Sequence, residues 1–322
     1  MAKNTPRRKK LMKKYKSFEE FFSSYQKLIR EEINKRIKDE DMRYALNGGK
    51  LLRPSILMLS FVACNGKNFE RAIESAVGIE LAHSASLIHD DIMDNDKERR
   101  GRPAFHVKKG VGKAILIGHK MINEAFRISL KHGKKNAQIF LDSWNEAVTG
   151  QILDIDVTAK IRELIKRKNI GEIIREYFNI INLKTASLFS VACRAGAIEA
   201  DAPEDLIENM AKYGREVGIA YQLADDLVDM LNGKLDDSIM LAVAKYREHI
   251  GKEGADNLTD IFKSIDREFL KNMYIEEIKK HIEKAQSIIS SEKRINPDFA
   301  KILKEAPVYI VNKMLESVEV VV

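Results

Sequence analysis

Residues Ser84–Asp94 read Ser-Ala-Ser-Leu-Ile-His-Asp-Asp-Ile-Met-Asp, an apolar, helix-like run that ends in the pattern Asp-Asp-x-x-Asp. On a helix, residues at positions i and i+4 lie on the same face, so Asp90 and Asp94 are predicted to point together. Two carboxylates that close repel each other unless a cation lies between them. The stretch therefore predicts a cation site or, as the simpler alternative, a solvated helix end.

The same ending recurs at Tyr221–Asp229, where Asp225 and Asp229 again lie four residues apart. Carboxylate oxygens that leave room for water and phosphate oxygens suit Mg²⁺. Two copies, each following a run too apolar for a surface helix, favour the cation site over the solvated helix end. We therefore expect two carboxylate clusters that face each other and hold Mg²⁺, with a diphosphate between them.

Helical periodicity dominates the rest of the chain, and strand alternation is nearly absent. The helix predicted from about Phe69 to Asp94 is apolar on nearly all sides between Ala76 and His89, so it should be central. Glu80 and His83 interrupt this apolar stretch. The pattern predicts an all-α fold.

The chain has 55 Lys and Arg residues against 48 Asp and Glu residues, and residues 1–16 hold eight of the basic residues and no acidic residue. A like-charged block of this kind is usually disordered. We therefore divide the chain into a basic, disordered tail over residues 1–16 and a helical domain over residues 17–322. The tail is either a weak contact for an anionic membrane or simply solubilising. No nucleic-acid partner is expected, because no aromatic residues interleave with the basic ones to support one.

The only cysteines, Cys64 and Cys193, lie in apolar surroundings and are interpreted as buried thiols of a reducing compartment. No stretch of eighteen uncharged apolar residues predicts a membrane span, and the N-terminus shows no apolar signal-peptide core. We therefore expect a cytoplasmic protein.

Six motifs occur in one order along the chain, and the set resembles that of the trans-isoprenyl diphosphate synthases, the polyprenyl synthetase family. The resemblance implies the isoprenoid synthase fold, a single large helical bundle around a central cavity. It also implies Mg²⁺-dependent, head-to-tail condensation of isopentenyl diphosphate with an allylic diphosphate, usually in a homodimer. The motifs are Gly49-Lys50-x-x-Arg53-Pro54, Asp90-Asp91-x-x-Asp94, Arg99-Arg100-Gly101, Gly150-Gln151-x-x-Asp154, Lys184-Thr185 and Gln222-x-x-Asp225-Asp226-x-x-Asp229.

The family's site residues carry over onto matching positions of this chain. The positions that hold isopentenyl diphosphate in the family are Lys50, Arg53, His83 and Arg100. Those that grip the allylic diphosphate are Arg99, Lys184, Thr185, Gln222 and Lys234, and those that hold Mg²⁺ are Asp90, Asp94, Asp225 and Asp229. Of these, the residues expected to act directly in the reaction are Asp90, Asp94, Lys184, Gln222 and Asp225.

One departure from the family lies after the second acidic cluster. Gly233-Lys234 is present and Lys234 is matched to the family's lysine, but the following loop is shorter than the family's, and only Lys245 stands in place of the family's further lysine. This leaves open a non-catalytic subunit that regulates a partner synthase. A terpene cyclase of related fold is also possible, although it would not need the Lys50, Arg53 and His83 set.

The product length in this family follows the depth of an apolar tunnel below the first acidic cluster, and a bulky aromatic residue five positions before that cluster blocks it. The residues near this position are small (Ala82, Ala85 and Ser86), and Trp144 is a candidate for a lower floor. An open tunnel favours elongation, because each added unit buries more apolar surface. We expect five to eight isoprene units, with six as the central value and four, geranylgeranyl, as the alternative.

Overall fold

The computed structural model describes residues 14–166, 170–233, 241–242, 244–245 and 266–322. These residues are almost wholly helical, which confirms the all-α class. The α-helices are α1 Phe18–Arg36, α2 Glu40–Leu46, α3 Leu52–Ala63, α4 Phe69–Met93, α5 Phe105–Lys109, α6 Val111–Lys131, α7 Lys134–Lys166, α8 Ile170–Ile181, α9 Ser187–Glu199, α10 Glu204–Leu231, α11 Arg267–Ser291 and α12 Pro297–Leu315. A π-helix, Asn182–Ala186, joins α8 to α9, and the 3₁₀-helix Glu316–Val318 follows α12. The strands β1 Glu98–Arg99 and β2 Arg102–Pro103 pair antiparallel.

The chain divides into two compact units. The single helical domain over residues 17–322 remains a prediction. Unit 1 comprises Met1–Asp142, Val191–Ala211 and Glu292–Leu303, and unit 2 comprises Ser143–Ser190, Lys212–Ser291 and Lys304–Val322. Each unit thus collects segments that are distant in sequence. The first acidic cluster belongs to unit 1 and the second to unit 2.

In unit 1, α4 is buried along most of its length, as its apolar sequence predicts. A Cβ atom added at Gly78 of α4 would lie 3.5 Å from Ile128 of α6, and one at Gly118 of α6 would lie 2.2 Å from the His89 ring of α4. These two contacts show that α4 and α6 pair antiparallel. Both cysteines are buried free thiols, and Ser60 donates a hydrogen bond of 2.6 Å to the Cys193 carbonyl.

The start of α1 is fixed by Ser17, whose hydroxyl accepts from the Glu20 backbone N–H and caps the helix. The predicted tail ends at Lys16, but Tyr15 is only 8% exposed and its ring lies 5.1 Å from that of Phe21. The folded part therefore begins before residue 17. Residues 1–13 of the predicted tail lie outside the described residues, so their disorder remains a prediction.

In unit 2, α8, α10, α11 and α12 share one cluster of buried apolar side chains, which includes Tyr177, Leu223, Tyr274 and Val311. On α10, Leu223 precedes the acidic cluster, Leu227 lies within it and Met230 follows it, and all three belong to these buried apolar side chains. The helix is therefore anchored on both sides of its carboxylates. Among the described residues, no helix has the length and apolar character needed to cross a bilayer.

Candidate functional site

The loop between α2 and α3 is a tight turn that the sequence marks with two glycines. Gly48 has a φ of 81°, in the left-handed region that glycine adopts without strain. A Cβ atom at Gly49 would lie 2.7 Å from the Glu80 Oε1 atom and 3.0 Å from the Arg100 Nη1 atom. A larger residue at position 49 would displace the ends of the Glu80 and Arg100 side chains, whereas glycine leaves both in place.

The backbone of this loop is held from α1. Arg30 donates to the Gly49 carbonyl at 3.3 Å, and Gln26 donates to the Lys50 carbonyl at 2.9 Å. The Lys50 side chain itself is exposed at the start of α3. The loop thus presents an ammonium group from a backbone fixed by hydrogen bonds.

Arg53 and His83 meet in unit 1, where the Arg53 Nη1 and His83 Nε2 atoms are 3.1 Å apart. Burial, together with the nearby Arg53 and Arg100 charges, holds the pKa of His83 well below its usual value. The ring is therefore neutral, and its Nε2 atom accepts from Arg53 while Nδ1 carries the proton. That Nδ1–H is buried without a hydrogen-bond partner among the described residues, so it is an available donor for a bound anion.

Arg100 stands at the tip of the β1–β2 hairpin, in a two-residue turn with Gly101. Arg100 has a φ of 55° and Gly101 a φ of 69°, which are the positive values that tight hairpin turns require. The Arg100 Nη1 group donates to the Ala45 carbonyl at 3.3 Å at the end of α2. Its Nη2 atom lies 3.7 Å from Glu80, and burial lowers the pKa of the guanidinium.

The first acidic cluster occupies the last turn of α4, where Asp90 is half-buried and Asp94 is exposed. The middle residue, Asp91, is 2% exposed and forms an ion pair with Arg99, whose Nε atom donates at 2.6 Å. Arg99 also donates to Asp96 at 2.9 Å. The middle carboxylate is therefore an anchor for Arg99.

Lys184 and Thr185 lie on the π-helix, a distortion often found at functional sites. A Cβ atom at Gly150 of α7 would lie 2.5 Å from the Lys184 backbone nitrogen, and one at Gly218 of α10 would lie 2.6 Å from the Ala186 Cα atom. Two glycines thus let the π-helix lie directly against α7 and α10. This contact explains the glycine of the motif Gly150-Gln151-x-x-Asp154, because a larger residue there would prevent the π-helix from lying against α7.

Lys184 interrupts an apolar helix face. The sequence allows two alternatives: the ammonium group is buried with an acidic partner, or the side chain extends to the surface. In the structure its Nζ atom donates to the Asp154 carboxylate at 2.5 Å, and both side chains are partly buried. Asp154 thus fixes the ammonium group in unit 2.

A chain of hydrogen bonds links Thr185 to the second acidic cluster. The Thr185 hydroxyl donates to Gln222 Oε1 at 2.7 Å, and Gln222 Nε2 donates to Asp226 Oδ1 at 2.9 Å. The hydroxyl of fully buried Tyr177 donates to the other Asp226 oxygen. Asp226, the middle carboxylate, is 6% exposed, whereas Asp225 and Asp229 are half-buried.

The donor set at each cluster fits Mg²⁺, because two oxygen-only carboxylates on one helix face leave ligand positions for phosphate oxygens and water. Among the described residues, no group of three His, Cys, Asp or Glu side chains is assembled as a complete protein cage. This is expected of a metal site in which a diphosphate supplies the remaining ligands. Asp90 and Asp94 would hold the ion in unit 1, and Asp225 and Asp229 would do so in unit 2.

The structure brings Arg53, His83 and Arg100 together in unit 1, and Lys184, Thr185, Gln222 and Asp225 together in unit 2. That the two acidic clusters face each other remains a prediction. Lys234 lies outside the described residues. Of the tunnel residues, Ala82 and Ala85 are buried on α4, Ser86 is half-buried beside them, and Trp144 is half-buried on α7 in unit 2.

Sequence reasoning gave no role to Glu80, Asp154 or Tyr177. Glu80 was visible as a charge inside an apolar helix, and Asp154 as the end of a quoted motif. Tyr177 carried no signal beyond its place on an apolar stripe, because only the fold brings it to Asp226.

The chain is similar in sequence to several known proteins. A family model described as polyprenyl synthetase matches residues 35–237. A geranylgeranyl diphosphate synthase from Methanosarcina mazei is 38% identical over 195 residues, covering 58% of this chain and 57% of that protein. A short chain isoprenyl diphosphate synthase from Methanothermobacter thermautotrophicus is 34% identical over 239 residues, covering 69% and 70%. The matches to the first two relatives span less than two thirds of those proteins.

Solved structures give the same result for the fold. The geranylgeranyl pyrophosphate synthetase from Pyrococcus horikoshii superposes with a TM-score of 0.71 at 31% identity, covering 91% of this chain and 98% of that chain. A polyprenyl synthase from Caulobacter crescentus, complexed with calcium and isoprenyl diphosphate, has a TM-score of 0.73 at 21% identity, covering 92% and 97%. The second likeness speaks for the fold alone.

Proposed function

Since this chain belongs to the polyprenyl synthetase family, we propose that it is a prenyltransferase that condenses isopentenyl diphosphate with an allylic diphosphate, head to tail. The carrying observation is the cationic group of unit 1. Arg53 of α3 pairs with His83 of α4, and Arg100 of the hairpin lies against Gly49, so the two guanidinium groups come from elements other than the helix that carries the first acidic cluster. An enzyme that binds one diphosphate has no need for this second set, so it favours a synthase over a terpene cyclase.

The residues of unit 1 bind the isopentenyl diphosphate in this proposal. Lys50 and Arg100 supply charge, Arg53 offers a planar fork, and neutral His83 donates from Nδ1. Several donors to one diphosphate fix its orientation, and therefore the position of the double bond that must attack. This positioning lowers the barrier by removing orientational freedom before the reaction.

The residues around the acidic clusters bind the allylic diphosphate. Lys184, Thr185, Gln222 and Arg99 hold its oxygens, and the Asp pairs hold Mg²⁺. When bound, Mg²⁺ would neutralise the negative charge on the departing diphosphate. The allylic C–O bond breaks, the double bond of isopentenyl diphosphate forms the new C–C bond, and the released diphosphate takes the proton. No protein nucleophile is required.

The test is incubation of the purified full-length protein with Mg²⁺, radiolabelled isopentenyl diphosphate and each allylic primer in turn. We expect labelled polyprenyl products after dephosphorylation and chromatography. Lack of incorporation with every primer would contradict the synthase and favour the non-catalytic regulatory subunit, for which the shortened loop after Lys234 is the sequence argument.

For the product length we propose four isoprene units, the shorter alternative from the sequence. The pairing of α4 and α6 sets Ala85 level with Met121, by the antiparallel register that Gly78 and Gly118 define. Met121 and Ala85 are both fully buried. Met121 is long enough to fill the space that small Ala85 leaves, which supports a shallow tunnel. Several relatives named geranylgeranyl diphosphate synthases also support it.

Substitutions at these positions separate the two product lengths. Ala85→Phe should shorten the product and Met121→Ala should lengthen it by at least one unit, as measured by chromatography of dephosphorylated products. If Trp144→Ala lengthens the product and Met121→Ala does not, then Trp144 is the floor and the six-unit product of the sequence prediction is favoured.

We further propose a homodimer in the cytoplasm. Four large apolar residues of α7 are exposed at spacings of seven, four and three residues, which fall on one helix face (Leu141, Val148, Ile152 and Ile155). A stripe of this kind suits burial against a second copy. Sedimentation analysis of the wild type and of Ile152→Asp tests it, with a shift to monomer expected for the variant.

The basic N-terminal tail is proposed to make at most a weak contact with anionic lipid. Co-sedimentation with liposomes containing anionic lipid should be reduced by removal of residues 1–13 and by added salt. Equal pelleting of the two proteins would show that the tail does not bind lipid.

A further inference from the structure

Glu80 is a fully buried carboxylate directly beneath the cationic group of unit 1. It is 1% exposed and lies in the middle of α4, three residues before His83. Its Oε1 atom receives a hydrogen bond of 3.3 Å from Ser84 and lies 3.7 Å from Arg100 Nη2. Its Oε2 atom has no hydrogen-bond partner among the described residues. A buried carboxylate with one oxygen left without a hydrogen-bond partner is costly in its ionised form.

The charged groups that face Glu80 come from several elements: Arg30 of α1, Arg53 of α3 and Arg100 of the hairpin. The polar neighbours on its own helix, His83 and Ser84, are both uncharged. Burial raises the pKa of Glu80 to about 7, although the arginines and Ser84 oppose this rise. The carboxylate is therefore divided between its two protonation states near neutral pH.

We propose that Glu80 is a positioning residue whose protonation is linked to diphosphate binding. In the free protein the ionised carboxylate holds Arg100 in place. When a diphosphate binds to the neighbouring arginines, the carboxylate takes up a proton from solvent. The inference rests on the proposed function, since the diphosphate in question is that of isopentenyl diphosphate. Two physical reasons support it. The bound diphosphate adds negative charge near the carboxylate, and it competes for the guanidinium groups that stabilise the ionised form.

The linkage has a definite sign. Below about pH 6 Glu80 already carries its proton in the free protein, so binding costs nothing at this residue. Above about pH 8 a proton must be taken from solvent, so the apparent affinity for isopentenyl diphosphate falls as pH rises. For one group whose pKa rises from about 7 on binding, the dissociation constant should increase about tenfold across this range.

The experiment is isothermal titration calorimetry of the full-length protein with isopentenyl diphosphate, at several pH values and in buffers of different ionisation enthalpy. The wild type should take up about half a proton per site near neutral pH. Glu80→Gln mimics the protonated carboxyl, so it should show no Glu80-dependent proton uptake. It should bind as tightly as the wild type at pH 6 and about tenfold tighter at pH 8. Titration of the ligand itself is the same in both proteins and cancels.

Ser84→Ala is a second variant that keeps the carboxylate. It removes the hydrogen bond that favours the ionised form, so the midpoint of the pH dependence should move upward. A purely structural role for Glu80 would leave that midpoint unchanged. Thermal unfolding of each variant establishes that it is folded.

The outcomes are distinguishable. Equal pH dependence and equal proton uptake in the wild type and Glu80→Gln would overturn the inference while leaving the synthase proposal standing. Weaker binding by Glu80→Gln at pH 8 would also overturn it, because the ionised carboxylate would then be required for binding. No binding of isopentenyl diphosphate to the wild type would overturn the proposed function and the inference together.

Discussion

The two acidic clusters share the pattern Asp-Asp-x-x-Asp but hold their middle carboxylates differently. Asp91 forms an ion pair with the charged, hairpin-borne Arg99. Asp226 accepts from two neutral groups, the Tyr177 hydroxyl and the Gln222 amide. In both clusters the outer residues are more exposed than the middle one.

Within one motif, the outer and the middle carboxylates therefore have different surroundings. The outer carboxylates, aligned by the i and i+4 spacing, are the proposed metal ligands. The middle carboxylate anchors the next side chain of the site, Arg99 in unit 1 and Gln222 in unit 2. The anchor is ionic where the partner comes from a hairpin loop, and neutral where the partner lies on the same helix one turn earlier.

The largest effect is expected at the outer residues. Asp90→Asn and Asp225→Asn should each lower kcat by about 1000-fold, because each removes a charge that stabilises the leaving diphosphate through Mg²⁺. Steady-state kinetics at saturating allylic substrate measures this effect, and chelation of divalent ions should abolish wild-type turnover.

The matched control is Asp142→Asn, an exposed carboxylate on α7. Its kcat should equal that of the wild type. A loss of only a few-fold in Asp90→Asn or Asp225→Asn would contradict the role of the outer carboxylates, and with it the division of tasks within the motif.

The middle residues should differ in their effect on stability. Asp91→Asn removes the charge opposite half-buried Arg99 and should lower the free energy of unfolding by about 1–3 kcal/mol. Asp226→Asn should cost less, about 1 kcal/mol or below, because the amide can donate to the Tyr177 hydroxyl and still accept from Gln222.

Chemical denaturation of the two variants, side by side with the wild type, measures the difference. If Asp226→Asn is the more destabilising, then the anchor in unit 2 depends on charge and the contrast between the clusters is incorrect.

The sequence predicted the helical class, which the structure confirms, and it also proposed the members of each site set. Carboxylates four residues apart share a helix face wherever the helix lies, and an apolar helix such as α4 must be buried. Local spacing is therefore enough to find Asp90, Asp94, Asp225 and Asp229. The partners of the middle carboxylates depend on which distant segments meet, so they required the structure.

Two features show this limit. The π-helix at Asn182–Ala186 depends on the close approach of Gly150 and Gly218 from two other helices, and no periodicity of its own sequence marks it. The tail boundary was set by charge alone, yet Tyr15 packs against aromatic rings of α1. A charge pattern predicts whether a segment is solvated, but the packing of Tyr15 determines where the folded part of the chain starts.

The smallest effect concerns the neutral anchor. Tyr177→Phe removes one hydrogen-bond donor to Asp226 and keeps the Gln222 donor, so Gln222 should be less firmly oriented toward Thr185. We expect the KM for the allylic diphosphate to rise about threefold, with kcat nearly unchanged. This rise corresponds to a free-energy change smaller than the usual net contribution of one hydrogen bond. Tyr25→Phe is the control, because it removes the same hydroxyl from a buried tyrosine in unit 1. An unchanged KM in Tyr177→Phe, or an equal rise in both variants, would mean that Asp226 positions Gln222 without help from Tyr177.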